Sequence, residues 1–534
     1  MSTVTAPPPG PPAPPAPPVP EIRLPPRLQR IPSRLAIGVG LTLLIVVSLI
    51  LRTRYIHGQL WDDEGLTVGI ASHSLSAIPG VLRHDGSPPL YYLMLHVWMQ
   101  VFGSSEAETH SLSLVFSMLA IPVGLWAGWS LFGRRAGLMA AVLFAFSSFL
   151  TSYAQETRMY SLMGLLGIIG AAAFVHAFVY RRRKYLILFA VSLALMLYTH
   201  AWGIFFGVGA MLALVPVWYV TDDRRGVVRD AALALAGAFV LFLPWLPNFI
   251  YQATHTGAPW DSSPRFGAPV QLSRDLLGGD RVTGVLVLGA AIGLAALFTK
   301  TYRRTREATA MFALLALPIG TLLLAWIASQ VTPAWVSRYF APILGATLLL
   351  AALGLARAGI GGLVALVLAC LFLINVASYT PKYKSNMRDI GGELKGLLRP
   401  GDLVISGQPD QIAVTWYYMP GGLRWASTIG PVSDPRYMNW VNALQRLQNA
   451  NPAATFTRLM AEVKPGQRVL FVRPLTEGAE NWEAPWTQLV RRRSAQWGEL
   501  FSTDKQLKAV AFAPLAYPGS TILSNSAVLY QKVS

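Results

Sequence analysis

The fold is decided by a long apolar stretch, LAIGVGLTLLIVVSLIL, at residues 35–51. An uncharged stretch of this length is typical of a membrane-spanning helix, which needs about 20 mostly apolar residues. The rest of the chain has the same character, because 53% of its 534 residues are hydrophobic and only 13% are charged. An average soluble domain has roughly 25% charged residues. The composition therefore excludes an ordinary soluble enzyme and predicts an integral membrane protein.

Further apolar runs follow the first one and bring the predicted number of membrane spans to about eleven. A shorter run at residues 90–102 is predicted to lie at the membrane interface rather than to cross it. We therefore expect a mainly helical, polytopic membrane domain over residues 34–378, with interfacial helices in its first external loop. The later spans are predicted at residues 112–131, 136–151, 160–180, 185–198, 201–220, 231–250, 282–299, 310–327, 340–356 and 358–376.

The two ends of the chain differ from this membrane domain. Residues 1–33 include the run PPPGPPAPPAPPVP, which has too little apolar bulk to pack and is predicted to be a disordered, cytoplasmic tail. Residues 379–534 have a mixed, soluble composition. Candidate strands at 402–406, 469–472 and 527–530 alternate there with helical patterns such as 387–398. They predict a small α/β domain.

The net charge of +18, from 44 Lys and Arg against 26 Asp and Glu, is explained by orientation in the membrane. With eleven spans and a cytoplasmic tail, the cytoplasmic segments hold 18 Lys and Arg, and the external loops of the membrane domain hold eight. Basic residues are retained on the cytoplasmic side of short loops. This topology places the C-terminal domain outside the membrane. We expect the lipid bilayer, and no nucleic acid, as the partner of the basic residues.

The first external loop contains three consecutive carboxylates, Asp62, Asp63 and Glu64, directly after Trp61. Three like charges next to a membrane repel one another and lose solvation, so their proximity needs a reason. One interpretation is an acidic turn that caps a helix. The other is a general base that takes a proton from a hydroxyl nucleophile, or a cation site.

Other unusual polar residues fall on the same predicted face of the membrane. A structural ion pair explains Glu156 and Arg158 equally well, and snorkelling to the interface is an alternative for Arg338. Enzymes on the external face have no nucleotide sugar or ATP, so group transfer there needs a donor carried in the bilayer. A lipid-phosphate sugar fits, with an arginine to stabilise the leaving phosphate. The residues of this face are Asp85, Tyr91, Tyr153, Glu156, Arg158, Tyr160, His200, Arg338 and Tyr339.

In order and spacing, these motifs resemble the bacterial GT-C glycosyltransferases. The similarity is greatest to the protein O-mannosyltransferase-like family 39 and to the aminoarabinose transferases that act on lipid A. The resemblance implies an inverting transferase in the bacterial cytoplasmic (inner) membrane, with its active site on the extracytoplasmic side. Such an enzyme moves a sugar from a polyprenyl-phosphate donor to a hydroxyl group of a cell-envelope lipid, glycan or protein.

The resemblance also implies roles for individual residues. Asp63 would be the general base and Glu64 its partner, although the additional acid Asp62 leaves the base open between Asp62 and Asp63. The donor would be bound by Arg338, Tyr339, Glu156, Arg158, Tyr160 and His200. The acceptor side or cavity wall would contain Asp85, Tyr91 and Tyr153.

Two departures from the family pattern affect the acceptor side. Gly86-Ser87 stands where relatives often have a His before the proline pair, and His110 stands where an Arg is expected. No cofactor is required, because Arg338 can stabilise the phosphate. A divalent cation at the acidic loop is compatible with the sequence, but no metal ligand is assigned.

Two other classes of function remain open at this point. A transporter or flippase of lipid-linked sugars would also place polar groups near a lipid head group. The absence of an internal repeat, and of charges at the centres of the predicted spans, argues against it. A non-catalytic assembly partner would use the proline-rich tail and the C-terminal domain.

Overall fold

The computed structural model of the chain describes residues 33–299, 301, 304–377, 384–475, 484–513 and 524–533. The predicted cytoplasmic tail lies outside the described residues, except for Ser33, where the first helix begins. Two parts of the molecule follow one another along the chain, a helical bundle up to Ala377 and a mixed α/β domain from Lys384 onward.

Each of the eleven predicted apolar runs contains most of one principal helix of the bundle, but the runs at 136–151 and 231–250 are each interrupted and continue into a second, shorter helix. These helices contain the stretches that favour burial in lipid or against other apolar helices. Their bounds are Ser33–Thr53, Glu106–Phe132, Arg134–Phe146, Tyr160–Phe174, Lys184–Thr199, Gly203–Val220, Arg224–Phe242, Asp280–Leu294, Arg306–Val331, Ile343–Arg357 and Gly359–Ala377. Shorter helices between them are Asp62–Ala71, Ile78–Asp85, Leu90–Phe102, Ser148–Tyr153, Leu246–His255 and Ala268–Leu277.

Length and apolar composition alone qualify six helices of the described chain to cross a membrane. A seventh span results if Arg224–Phe242 and Leu246–His255, which meet at a bend of 80°, are taken together. Several other runs form shorter apolar helices, such as Lys184–Thr199 and Ile343–Arg357. The chain is thus a multi-pass membrane protein, and the count of eleven spans stays a prediction.

The short apolar run at residues 90–102 forms a separate helix, Leu90–Phe102, with the predicted bounds. The helix follows Pro89, and a proline fits this position because its missing N–H group would have no partner in the first turn. It ends at Gly103, which has a φ of 102° that a side chain would disfavour. Its place at the membrane interface stays a prediction.

The C-terminal domain is built on a six-stranded sheet. Its strands are β1 Leu403–Ser406, β2 Arg424–Ser427, β3 Gly430–Val432, β4 Arg468–Pro474, β5 Leu507–Ala513 and β6 Asn525–Lys532. They lie in the order β3-β2-β1-β4-β6-β5. The central strand β1 runs parallel to β2 and β4, whereas the pairs β2–β3, β4–β6 and β5–β6 are antiparallel. The three predicted strands are confirmed: β1 begins one residue later than predicted, and the other two lie within β4 and β6.

Helices cover both faces of this sheet, because successive side chains of a strand point to opposite sides. In β1, Val404 packs in the same core as Met387 of the first helix of the domain. Its neighbour Ile405 packs on the other face, in a core with Phe456 and Trp497. The helices are Met387–Leu394, Ile412–Tyr418, Ala443–Asn449, Pro452–Ala461 and Pro485–Thr503.

Helix Asp62–Ala71 joins the two parts of the molecule. Its Val68 belongs to the core on one face of the C-terminal sheet, while Ile70 belongs to the core of the bundle. Two glycines allow this close packing. A Cβ atom at Gly65 would collide with the backbone of Val414, and one at Gly69 with the carbonyl of Arg436. The acidic start of this helix is therefore held where bundle and domain meet.

Candidate active site

A cavity of about 390 Å³ lies between the end of the bundle and the C-terminal domain. Its volume is within the range of small-molecule sites, roughly 300–1,000 Å³. Residues from the segment between the first two principal helices, from later loops of the bundle and from the C-terminal domain line it together. The charged side chains on its described wall are Asp62, Asp63, Asp85, Arg158, Arg338 and Asp410.

One group of charges on the wall consists of Asp63, Arg158 and Arg338, and we call it the cavity cluster. Asp63 Oδ2 lies 3.1 Å from Arg338 Nη2 and 3.6 Å from Arg158 Nη2. The Nε of Arg338 donates to the hydroxyl of Tyr160 at 3.0 Å, and Nη1 of Arg158 donates to Thr67 Oγ1 at 2.8 Å. Two guanidiniums fixed in this way can bind an anionic group such as a phosphate.

The neighbouring carboxylate belongs to a second group, Glu64, His110 and Lys384, which we call the buried cluster. Glu64 Oε1 lies 2.7 Å from Lys384 Nζ and 2.7 Å from His110 Nε2, and it accepts the Thr157 N–H at 2.8 Å. Burial opposes the charge of Glu64, but Lys384 and His110 outweigh it and hold its pKa at about 2. The fully buried Glu64 is therefore suited to holding the start of its helix in place rather than to proton transfer.

The third carboxylate of the acidic turn, Asp62, faces the C-terminal domain. Its Oδ2 accepts from Gln411 Nε2 at 3.4 Å and from Gln408 Nε2 at 3.5 Å. Gln408 Nε2 also donates to Asp410 Oδ2 at 2.8 Å, so one amide connects two carboxylates. Burial, followed by the negative charges of Asp410 and Asp63, raises the pKa of Asp62 well above its usual value. Burial also raises the pKa of Asp410 to about 6.

The loop from Asp85 to the proline pair also reaches the cavity. Asp85 and Tyr92 are both on its wall, and burial raises the pKa of Asp85 to about 6. Tyr91, the tyrosine predicted for this wall, is instead buried inside the bundle, where its hydroxyl lies 2.7 Å from Ser113 Oγ. Its neighbour Tyr92 lies on the wall instead, because successive helical side chains are rotated by about 100° and face different sides.

Aromatic side chains surround the cavity cluster. His200 and Tyr339 are on the wall with their rings 4.7 Å apart. Tyr160 is buried beneath Arg338, and its ring lies 5.0 Å from that of Tyr153. Tyr160 therefore orients the arginine from behind, and Tyr153 supports Tyr160.

Glu156 has an environment different from that of the cavity cluster. The carboxylate is half-buried, and among the described residues its Oε2 has no hydrogen-bond partner. Burial raises its pKa to about 7, in spite of the opposing charges of Lys384 and Arg338. A direct contact with a donor, as the resemblance implies for Glu156, stays a prediction.

The acidic turn does not fit a shared cation site. Asp63 is paired with two guanidiniums, Glu64 with an ammonium group, and Asp62 accepts from two amides. The three carboxylates thus point to three different partners rather than to one centre. Across the described ranges, no group of three or more His, Cys, Asp and Glu side chains could hold a metal ion.

Sequence reasoning missed the residues that the C-terminal domain contributes to the cavity. These include Gln408 and Asp410, which follow β1, and the indoles of Trp440 and Trp486. It also missed Lys384, the partner of Glu64. Gln408 and Asp62 are 346 positions apart, and nothing in their local patterns connects them. Only the proline that follows Gln408 indicates a loop there.

Residues 86–251 match the model of the dolichyl-phosphate-mannose-protein mannosyltransferase family. This segment includes Arg158, Tyr160 and His200, whereas Asp63 and Arg338 lie outside it. No curated protein sequence matches the chain.

The fold is similar to that of ArnT from Cupriavidus metallidurans. The apo crystal structure has a TM-score of 0.62 at 15% identity, with 92% of this chain and 98% of that chain covered. The structure bound to undecaprenyl phosphate has a TM-score of 0.61 at 15% identity, covering 93% and 98%. The arabinofuranosyltransferase AftD from Mycobacteria has a TM-score of 0.54 at 14% identity, covering 93% of this chain and 42% of that one. These similarities confirm the resemblance at the level of the fold, which is ArnT-like, and the family match covers residues 86–251 of the chain.

Proposed function

We propose that this chain is an inverting glycosyltransferase that moves a sugar from a polyprenyl-phosphate donor to a hydroxyl acceptor. The observation that carries the proposal is the cavity cluster, in which one carboxylate faces two guanidiniums on the wall of a cavity. Transfer from a lipid phosphate needs a base for the acceptor hydroxyl and positive charge for the departing phosphate. The cavity cluster contains both.

In the proposed step, the acceptor oxygen attacks the anomeric carbon of the sugar from the side opposite the phosphate. The bond between this carbon and the phosphate oxygen breaks, and its electron pair leaves with the polyprenyl phosphate. The hydroxyl proton passes to Asp63. Arg338 and Arg158 balance the charge that develops on the phosphate. A single displacement of this kind inverts the configuration of the sugar.

The ion pair between Asp63 and Arg338 also suggests how the base becomes free. A donor phosphate that binds Arg338 competes with Asp63 for the same guanidinium. The carboxylate then loses one of its partners and can accept a proton. Asp62, whose nearest partners are glutamine amides, is the alternative base and has to be tested in parallel.

We place this reaction on the external face of the bacterial cytoplasmic membrane. The excess of Lys and Arg in the loops on the opposite side supports this orientation. A cell-envelope lipid, glycan or protein would then supply the acceptor hydroxyl. A polyprenyl-phosphate donor is consistent with undecaprenyl phosphate in the ArnT crystal structure.

The test uses the full chain, purified and reconstituted in lipid nanodiscs. Polyprenyl-phosphate sugars are added one at a time with a mixture of acceptors, and released polyprenyl phosphate is measured by mass spectrometry. We expect release with at least one donor, and loss of release in Asp63→Asn. The exposed Asp280, paired with Arg274 on a bundle helix, provides the matched control Asp280→Asn.

Two outcomes would contradict the proposal. Full activity of the double variant Asp62→Asn, Asp63→Asn would show that neither of these carboxylates is the general base. Movement of a fluorescent lipid-linked sugar between leaflets, without any transfer product, would instead indicate a transporter.

A further inference from the structure

The side of the cavity next to the C-terminal domain is lined by residues of a different kind from those of the cavity cluster. Three indoles lie there in a row. The ring centroids of Trp260 and Trp440 are 4.4 Å apart, and those of Trp440 and Trp486 are 5.1 Å apart. All three line the cavity, and Trp260 is only half-buried. Trp486 also donates its indole N–H to Asp410 at 3.2 Å. The row of indoles thus meets a carboxylate through the N–H group of Trp486, while Trp440 and Trp486 are buried and Trp260 is the most exposed of the three.

The same part of the wall contains polar atoms that have no partner within the described residues. Asp62 Oδ1 and Gln408 Oε1 are buried acceptors, and the indole nitrogen of Trp61 is a buried donor. The side chains of Asp62 and Gln408 are more than nine-tenths buried. Leaving such groups unpaired is unfavourable, because each has lost its hydrogen bonds to water. A ligand that both donates and accepts, as a hydroxyl group does, would satisfy them.

The charges of the wall argue against an anionic ligand on this side. The described wall has four carboxylates, Asp62, Asp63, Asp85 and Asp410, and two guanidiniums. Both guanidiniums belong to the cavity cluster, where the proposed donor phosphate would occupy them. An acceptor phosphate next to Asp62 and Asp410 would meet like charges, which repel it.

We propose that Trp260, Trp440, Gln408 and Asp410 form an acceptor subsite for an uncharged glycan. This inference rests on the proposed function and assigns the class of acceptor. A sugar ring has apolar C–H faces that pack on indoles and peripheral hydroxyls that donate to carboxylates and accept from N–H groups. A peptide in extended form is recognised mainly through its backbone, at a strand edge. The polar groups on which this subsite depends, those of Asp62, Gln408 and Asp410, belong to side chains.

The experiment compares three acceptors with the reconstituted full chain and the active donor. They are an uncharged octyl disaccharide of mannose or arabinose, a Ser/Thr-containing peptide, and a lipid-linked glucosamine phosphate. We expect transfer to the disaccharide. In Asp410→Asn and in Trp260→Ala, the KM of the disaccharide should rise at least tenfold, while the KM of the donor stays at the wild-type value.

Matched controls are available for both substitutions. Glu462→Gln removes an exposed carboxylate of the same domain, which pairs with Arg424, and Trp326→Ala removes another half-buried indole. Neither should change the KM of the disaccharide. Because Asp410→Asn has the same size as the native side chain, it tests the inference even if Trp260→Ala does not fold.

The outcomes separate this inference from the proposed function. Transfer only to the peptide or to the phosphorylated lipid, or an unchanged disaccharide KM in both variants, would overturn the glycan subsite and leave the transferase proposal intact. No release of polyprenyl phosphate with any acceptor would overturn the proposed function. Binding of the disaccharide to Asp63→Asn, measured by saturation-transfer NMR, would support the subsite independently of turnover.

Discussion

Asp63 and Glu64 are neighbours in the first turn of one helix, yet they belong to two different ionic clusters. The Asp63 side chain is 24% exposed and faces two guanidiniums at a cavity. The Glu64 side chain is 0% exposed, and an ammonium group and an imidazole enclose it. The two carboxylates have similar chemistry and adjacent positions, but only one can meet a ligand. The environment that each meets after folding, rather than its residue type, separates the proposed base from a structural anchor.

The geometry of the helix explains the separation. Successive side chains on a helix are rotated by about 100°, so the carboxylates of Asp63 and Glu64 point in different directions and meet different cations. The first points to loops of the bundle, and the second to the start of the C-terminal domain through Lys384. If the two clusters are as distinct as the structure indicates, substitutions in the cavity cluster should change catalysis and substitutions in the buried cluster should change stability.

Replacing the carboxylate of the cavity cluster should have the largest effect on catalysis. In Asp63→Asn, the turnover number should fall by about 10²–10⁴-fold, which is the usual contribution of a positioned general base. The melting temperature should change little, because Asp63 is partly exposed. Steady-state kinetics and thermal unfolding in detergent measure the two quantities. If Asp62→Asn lost turnover to this extent while Asp63→Asn stayed active, Asp62 would be the general base.

Removing the cation of the buried cluster should instead act on stability. Lys384→Met leaves the carboxylate of Glu64 buried without its ammonium partner, and breaking such a pair costs about 3–5 kcal/mol. Thermal unfolding should therefore shift to lower temperature, and limited proteolysis should release the C-terminal domain earlier. Lys395→Met, at an exposed lysine of the same domain, is the matched control.

A second substitution distinguishes charge from packing in this cluster. Glu64→Gln keeps an acceptor for His110 and Thr157, so the double variant Glu64→Gln, Lys384→Met should recover part of the lost stability. The absence of any recovery in the double variant would contradict this account.

The pH dependence of the stability that Glu64 contributes has a defined sign. Because the pKa of Glu64 falls from 4.5 to about 2 in the fold, its contribution is present above pH 4.5 and is lost as the pH falls towards 2.

Removing the guanidinium that faces Asp63 should weaken donor binding. A hydrogen bond to a charged group contributes about 1.5–3 kcal/mol, so Arg338→Gln should raise the KM of the donor by roughly ten- to a hundredfold. Arg338→Lys keeps the charge and should recover part of this loss. An unchanged donor KM in Arg338→Gln would show that the phosphate binds elsewhere. Arg274→Gln, at an exposed arginine of the bundle, is the control.

The smallest expected effect is a pH dependence on the C-terminal side of the cavity. The pKa of Asp410 is raised to about 6, mainly by burial and in part by Asp63, so the carboxylate is charged above pH 6 and protonated below it. The KM of an acceptor that donates hydroxyl protons to Asp410 should rise as the pH falls from 7 to 5. Asp410→Asn should flatten this profile without abolishing it, because Asp85 titrates near the same pH. An unchanged profile in Asp410→Asn would contradict a role for Asp410 in acceptor binding.

Much of the fold could be predicted from the sequence, because its signals are local. Apolar runs long enough to span or approach a membrane must form helices, since lipid leaves backbone groups no other partners. These runs are mainly helical, although those at 136–151 and 231–250 are each broken into two helices, and the short run at 90–102 is a separate helix as predicted. The three predicted strands are equally local, since buried stretches of Val, Leu and Ile bounded by turns favour β-structure.

The candidate site was only partly predictable. The polar residues of the loops predicted to be external were recognised because charges next to apolar runs are costly, and seven of the predicted residues line the cavity. They are Asp62, Asp63, Asp85, Arg158, His200, Arg338 and Tyr339. The side of a helix that faces a cavity depends on its packing, so Tyr91 was chosen where Tyr92 lies on the wall.

By itself, the sequence determined that this chain is a helical membrane protein with an α/β domain after the bundle, and that its unusual acids and arginines belong to a few loops. Composition and apolar run length specify these properties, because the lipid and the backbone act on each segment separately. The tertiary structure alone decided which acid meets which cation. It directed Glu64 to Lys384, Asp63 to Arg338, and Asp62 to a loop 346 residues later. Such pairings depend on helix rotation and on the docking of the C-terminal domain at Gly65 and Gly69, which no local pattern encodes.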